Sequence, residues 1–555
     1  MTPPSLLSVN DAILWLKVGL SAATLAVLYY RYKERATGSP SKGLNVQTRA
    51  VLVPVALLSL GVFHNLGAFR GGTFVHHSEM FHYYLGPKYF KELGYYELYN
   101  AVLVADAEQD DALAQIPFYT NLKTYRNSPR ETALRDSDRV RALFSERRWS
   151  EFKSDVAFFK QATETPHSQG LFFLLIDHGY NGSPLSTLVL GTLSNAIPVN
   201  HLHALAYIDV LLVLAMGAFV YWTFGFDTGT LFSVYFCVNI LNAYDYISGS
   251  LLRYDWLFCI IAGVCLQKKK RYALSGVFLA LAAVLRVFPA LLFYGIAVKI
   301  VQGLIATRTI RKEHLRFALA AATATLALIV LPSVSLGAVV EPWKDFISNT
   351  QLHNAGVYVN HLGIRAIALF EPSHLSLDQF FAAYKSAHTT DIVRHWQDVK
   401  EFELRQKAPL LAFISLAVLV SVTMLIRKRN DFESIIWPLL LIYTTTFLAH
   451  YYYGFLCLFI LLFFSWSNSL TSFVPLCLLM LLNIAILLTD YFRPSPIVLY
   501  TLTNLYLFVF MATILGFCLY TLVITKRREA PAQAKPTAQS KPRNASPRHR
   551  RGPRR

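Results

Sequence analysis

Apolar residues in this chain come in long blocks with few charges, set apart by short polar breaks and by two extended polar stretches. The blocks fall at 8–30, 50–68, 203–223, 228–247, 250–267, 273–286, 288–303, 317–337, 407–426, 433–449, 451–466, 469–489 and 497–524. Crossing a bilayer takes about 20 apolar residues whose backbone groups are satisfied within the segment, which a helix achieves and an isolated strand does not. The pattern predicts an all-α polytopic membrane protein with about 11–13 transmembrane helices. The 273–303 stretch is interrupted near Arg286 and Pro289 and predicts two short helices that form a hairpin.

Sidedness follows from the polar breaks. Lys and Arg gather at 31–35, 268–271, 308–312, 427–429 and 526–528, and such clusters stay cytoplasmic in short loops. One alternation places all five there, provided that 273–303 returns to the side it left. The N-terminus is then outside and the C-terminus cytoplasmic, as expected of a multi-pass protein of the cell (inner) membrane. The first block is too long for a signal peptide and lacks a small-residue cleavage site, so it reads as a retained helix. Two long segments, 70–200 and 338–406, lie outside. Within the first, 136–161 has the periodicity of an amphipathic helix lying on the membrane surface or on the bundle. Residues 184–198 are apolar but short, which suggests a re-entrant or interfacial helix. The chain divides into an N-terminal extra helix and linker (1–48), a transmembrane module (49–525) and a disordered basic tail (526–555).

Composition agrees and narrows the choice. Of 555 residues, 54% are hydrophobic and 15% charged, and the mean hydropathy is +0.38, too apolar for a soluble multidomain protein. The net charge of +18 could suggest nucleic acid, but the last thirty residues hold eleven Lys/Arg against one Glu. Most of the basicity is that tail, suited to anionic headgroups, and no nucleic-acid partner is expected. All six cysteines lie inside apolar blocks, so neither a disulfide framework nor a zinc site is suggested.

The first candidate for chemistry is Glu79, just beyond the second apolar block, in the run His76-His77-Ser78-Glu79 followed by Tyr83, Tyr84, Lys88 and Tyr89. A carboxylate there stands at the lipid interface, where a base acting on a lipid-linked substrate must be. The bland alternative is a helix N-terminal carboxylate. The second is Arg286, a cation inside an apolar stretch, costly unless it meets a partner and therefore a functional hypothesis. Its planar fork suits phosphate oxygens, and snorkelling or a buried carboxylate partner is the alternative.

The pattern Glu79, Tyr83, Gly86, Leu93-Gly94 and Leu98-Tyr99 resembles the first outer loop of GT-C glycosyltransferases. It is most similar to the polyprenol-phosphate-mannose-dependent branch called family 87, whose loop begins with Asp where this chain has Glu. The stretch 276–292, with Arg286 and Pro289, resembles that branch's Gly, Ala/Leu-rich, basic and Pro pattern. Residues 177–184 resemble the Tyr- and Pro-rich lead into its next helix, although turn chemistry explains Gly, Asn and Pro equally. The resemblance implies a GT-C-like helical bundle and transfer of a sugar, mannose or another hexose, from a polyprenyl-phosphate carrier to an extracytoplasmic lipid-linked or envelope glycan acceptor. Glu79 would be the general base, and Arg286, His450 and His361 would hold the donor phosphate. Tyr83, Lys88, Asp106, Asp177, Asn181, Asn360 and Tyr451 would complete the substrate site. No cofactor and no metal is implied. The rival reading is a transporter or lipid flippase, which predicts ionisable residues paired at mid-span.

Overall fold

A computed structural model describes residues 8–37, 42–69, 72–165, 168–337, 340–385, 392–465 and 470–529. The protein is an all-α polytopic membrane protein whose only strands, among the described residues, are three two-stranded ribbons. Among the described residues eight helices are long and apolar enough to cross a bilayer: Val9–Glu34, Val46–Phe63, Val199–Phe224, Phe288–Thr307, Lys312–Ser335, Ala408–Ile426, Leu470–Tyr491 and Pro496–Val523. Each buries only 22–44% of its most apolar stretch, leaving side chains such as Leu211, Leu319, Leu326 and Phe413 on the outside of the bundle. That is the surface expected where the solvent is hydrocarbon.

The five remaining apolar blocks form shorter helices. Phe226–Val238, Asp255–Lys268, Tyr272–Leu285, the broken pair Asp431–Ile436 and Leu439–Thr445, and the 450–464 stretch stop short of a full crossing. Fourteen residues of helix, as in Asp255–Lys268, rise about 21 Å against a hydrocarbon core of about 30 Å. These helices are apolar on every face and occupy the centre, where Trp256, Ile260, Trp437, Ile442, Tyr453 and Phe459 are buried. Irregular backbone at membrane depth is tolerable because it is wrapped in protein.

Contacts between loops give the bundle two chemically distinct ends. At one, Arg31 and Arg49 both pair with Asp227, at 3.0 and 2.9 Å. Lys268 lies over the rings of Phe224 and Phe432, Arg311 approaches Asp431 at 3.9 Å, and Gln302 donates to the Arg427 carbonyl. Four basic clusters therefore share this end. The 272–307 stretch starts and finishes there: Arg286 adopts an extended conformation that ends Tyr272–Leu285, and the 3₁₀ turn Phe288–Leu292, with Pro289 inside it, turns the chain back. Residues 530–555, most of the basic tail, lie outside the described residues.

At the other end the first long polar segment builds its own core around Tyr84, Tyr89, Tyr99, Trp149, Phe152, Phe159 and Tyr180. The amphipathic stretch is two helices, Ser137–Ala142 and Glu146–Thr163; the second turns Trp149, Phe152, Val156 and Phe159 into this core. Pro184–Ala196, capped by Ser183, packs against the Lys312–Ser335 span and residues 86–88. The second long segment folds down through Glu341–Ala355 and a ribbon pairing His361 with Ala449. A cavity of about 390 Å³ lies between the two segments and the central short helices.

Candidate functional site

The backbone around Glu79 is braced from the bundle. Its N–H donates to His76 Nδ1 (3.2 Å), and the other nitrogen of that ring reaches the Asp245 carbonyl at 3.1 Å. With Nδ1 accepting, the ring carries its proton on Nε2, where the carbonyl takes it. Glu79 belongs to the short helix His77–Met80, which runs into a π-helical turn, Phe81–Leu85, and then Gly86–Lys88. Such turns are frequent at functional sites. Gly86 is required here: a Cβ would come within 2.6 Å of the Tyr180 side chain.

Facing Glu79 is Arg253, whose Nη2 lies 3.2 Å from Oε2. Arg253 is only 3% exposed, and its guanidinium carbon sits 3.9 Å above the Tyr83 ring centre and 5.6 Å from that of Tyr451. The loop that carries it is held by Asp209, from the Val199–Phe224 span, whose carboxylate accepts the N–H groups of Arg253 and Tyr254 at 2.8 and 3.4 Å. The buried carboxylate within a span is thus a backbone cap. Trp256 Nε1 donates to the Arg253 carbonyl at 3.1 Å and closes the turn.

Arg286 enters from the break between the two hairpin helices, with its guanidinium carbon 5.9 Å from the same Tyr83 ring centre. Among the described residues it makes no ion pair, and its Nε is buried without a hydrogen-bond partner. Arg253 Nε and Nη1 are likewise buried and unpartnered. A buried cation with no anionic partner costs several kcal/mol, which applies to Arg286; with Arg253, already paired with Glu79, it turns open donors suited to an anion toward the space around Tyr83. Tyr83 is oriented by its hydroxyl, which donates to Asn181 Oδ1 at 2.8 Å.

The second outer segment closes the cavity with His353, Tyr358, Asn360, His361 and Arg365. The rings of His353 and Tyr358 stack at 5.0 Å, and His178 and His361 meet Tyr358 at 4.6 and 4.7 Å. Burial, reinforced by the neighbouring His178, pushes the His353 pKa down to about 3. Burial likewise holds His361 well below the usual imidazole range. Both are neutral at pH 7 and offer hydrogen bonds, not charge. Among the described residues no three His, Cys, Asp or Glu side chains are grouped so as to hold a metal ion.

Glu79, Tyr83, Asp177, Asn181, Arg286, Asn360, His361 and Tyr451 all line this one cavity. Three residues expected beside them do not. Lys88 is buried in an ion pair with Asp155 (2.7 Å) and also meets Glu151 (2.9 Å), which joins the π-turn region to the Glu146–Thr163 helix. Asp106 is fully buried, accepting from Lys160 and from the Leu113 N–H, each at 2.8 Å. His450 stands behind the wall, its ring 4.2 Å from Tyr246 and 4.8 Å from Tyr500, with neither ring nitrogen partnered. Only its backbone N–H, donating to the Asn360 carbonyl at 2.9 Å, supports the site. Conversely, Arg253, His353, Tyr358 and Arg365 were not singled out from the sequence. Arg253 was open to the argument that selected Arg286, a cation within an apolar block; the others lie in a polar segment where nothing sets them apart. No family model, curated protein or solved structure matches the chain.

Proposed function

We propose that the protein is a membrane glycosyltransferase that takes a sugar, mannose or another hexose, from a polyprenyl-phosphate carrier and transfers it to a lipid-linked or envelope acceptor on the outer side of the cell membrane. The observation that carries this reading is the convergence of one carboxylate, Glu79, with two buried guanidiniums, Arg253 and Arg286, in a cavity at the end of the bundle opposite the basic clusters. The acceptor hydroxyl oxygen attacks the anomeric carbon as the bond from that carbon to the phosphate oxygen breaks. The electron pair leaves with the polyprenyl phosphate, and the hydroxyl proton passes to Glu79. Negative charge grows on the leaving phosphate, where Arg253 and Arg286 present donors that need no reorganisation. Tyr83 and Asn181 fix the floor of the site, and the ring cluster of His353, Tyr358 and His361 supplies aromatic faces and neutral hydrogen-bonding groups suited to a sugar.

The test is a reconstituted assay. Purified protein in liposomes receives polyprenyl-phosphate hexoses and a lipid extract as acceptor, and products are followed by mass spectrometry. Sugar transfer that Glu79→Gln abolishes supports the reading. Movement of the donor between leaflets without any new glycosidic bond replaces it with a flippase.

A further inference from the structure

A second cavity, of about 520 Å³, opens at the same end of the bundle. It lies between the first helix, the turn after the second and the C-terminal end of Leu470–Tyr491, and Tyr246, whose ring touches His450, lines it. Its charges are Asp11, Lys17, Asp245, Asp490 and Arg493. Two of them cancel: Arg493 pairs with Asp11 at 2.7 Å. Asp245 is held by the Asn65 amide, which lies 2.9 Å from both carboxylate oxygens and leaves the charge uncancelled.

Lys17 is different. It is 5% exposed and, among the described residues, its ammonium makes neither a hydrogen bond nor an ion pair. The Asp490 carboxylate has no such partner either. An unpaired ammonium inside a span is expensive and marks a place where something binds. Lys17 lies eight residues into Val9–Ala36, about 12 Å along the axis. Side chains on a helix lean toward its N-terminus, so the Lys17 stem climbs toward the turn carrying Asp11 and the cavity both residues line. An ammonium, two uncancelled carboxylates and an apolar wall of Leu14, Phe69 and Leu487 thus enclose one space.

We propose that this cavity binds the headgroup of a zwitterionic aminophospholipid, with the lipid phosphate on Lys17, its ammonium on Asp245 and Asp490, and its chains against the apolar wall. A purely anionic lipid would satisfy Lys17 but face two carboxylates; a choline headgroup cannot donate hydrogen bonds to them. The assignment does not depend on sugar transfer.

The experiment uses the full chain, purified and delipidated in mild detergent, titrated with phosphatidylethanolamine, phosphatidylglycerol, phosphatidylcholine and soluble glycerophosphoethanolamine. Thermal unfolding and native mass spectrometry read the binding. Phosphatidylethanolamine raises the unfolding temperature and is retained with a roughly tenfold preference, about 1.4 kcal/mol, over the other two lipids. Lys17→Met removes that response, yet without lipid it unfolds no lower than the wild type, because Met fills the stem's space and discards an unpaired charge. The double variant Asp245→Asn, Asp490→Asn keeps binding phospholipid but loses the preference for the ethanolamine headgroup. Equal stabilisation by all three lipids in wild type and Lys17→Met overturns the site. So does a lower lipid-free unfolding temperature for Lys17→Met with its response to phosphatidylethanolamine intact, which would make Lys17 a structural ion-pair partner. Stabilisation by glycerophosphoethanolamine at the same concentrations as the lipid overturns the lipid as the source.

Discussion

Glu79 meets Arg253 at 3.2 Å in the candidate site, with Arg286 nearby across the Tyr83 ring, and substitutions of Glu79 and Arg286 should separate proton transfer from donor binding. Glu79→Gln keeps shape and hydrogen bonding but cannot accept a proton, so turnover should fall by about 10²- to 10⁴-fold, roughly 3–5 kcal/mol of barrier. Glu79→Asp should retain measurable turnover, because it keeps a carboxylate within reach. A helix-terminal role would instead leave both variants as active as the wild type. Arg286→Ala should weaken donor binding by about 10- to 100-fold, as expected when a charged hydrogen-bonding partner is lost, with Arg286→Lys in between for want of the fork; unchanged donor affinity in a folded variant removes Arg286 from the site. The histidines set a pH dependence. His353 and His361 have depressed pKa values in the folded protein, so below about 6.5 the unfolded chain takes up protons that the native cavity refuses. Stability should be unaffected by these two above that pH and should decline as pH falls from 6.5 toward 3. A thermal-unfolding series should show His353→Gln with the shallower decline; identical slopes would mean the imidazole is already solvated.

Individual elements were legible to the extent that their own periodicity decided them. The 136–161 pattern announced an amphipathic helix, but its partner, the outer segment's own core and not lipid, depended on Tyr89 and Phe144 being brought to Phe152. Lys88 shows the same limit. Its place after the Glu79 pattern suggests a substrate contact, yet folding delivers it to Asp155 and Glu151 on a helix more than sixty residues on. Although burial disfavours its ammonium, those carboxylates hold the Lys88 pKa above the ordinary value. Lys88→Met should therefore destabilise the outer segment by about 3–5 kcal/mol through the stranded Asp155, and Lys88→Met with Asp155→Leu should recover most of it. Limited proteolysis of the outer segment reads this. A fully folded Lys88→Met with impaired donor affinity would instead return Lys88 to the site.

For the whole molecule the consequential feature is the polarity of the bundle, with basic clusters at one end and both cavities at the other. Reporter fusions test which way it is inserted: one after Arg429 should report cytoplasm and one near Tyr125 the outside. The same compartment for both, or the reverse pair, would place the Glu79 cavity on the wrong side for an extracytoplasmic transferase.

The thirteen apolar blocks and their helical state could be read from the sequence, because a bilayer demands internally satisfied backbone and long apolar runs leave no other solution. Arg286 was legible for the same reason, as a cation out of place. Which blocks face lipid and which form the core was not, since eight long helices and five short ones have similar composition and differ in what surrounds them. Arg253 reached Glu79, and Lys17 a cavity lined by carboxylates, only through contacts between segments far apart in the chain. Such contacts are set by packing geometry, which no local pattern of residues encodes.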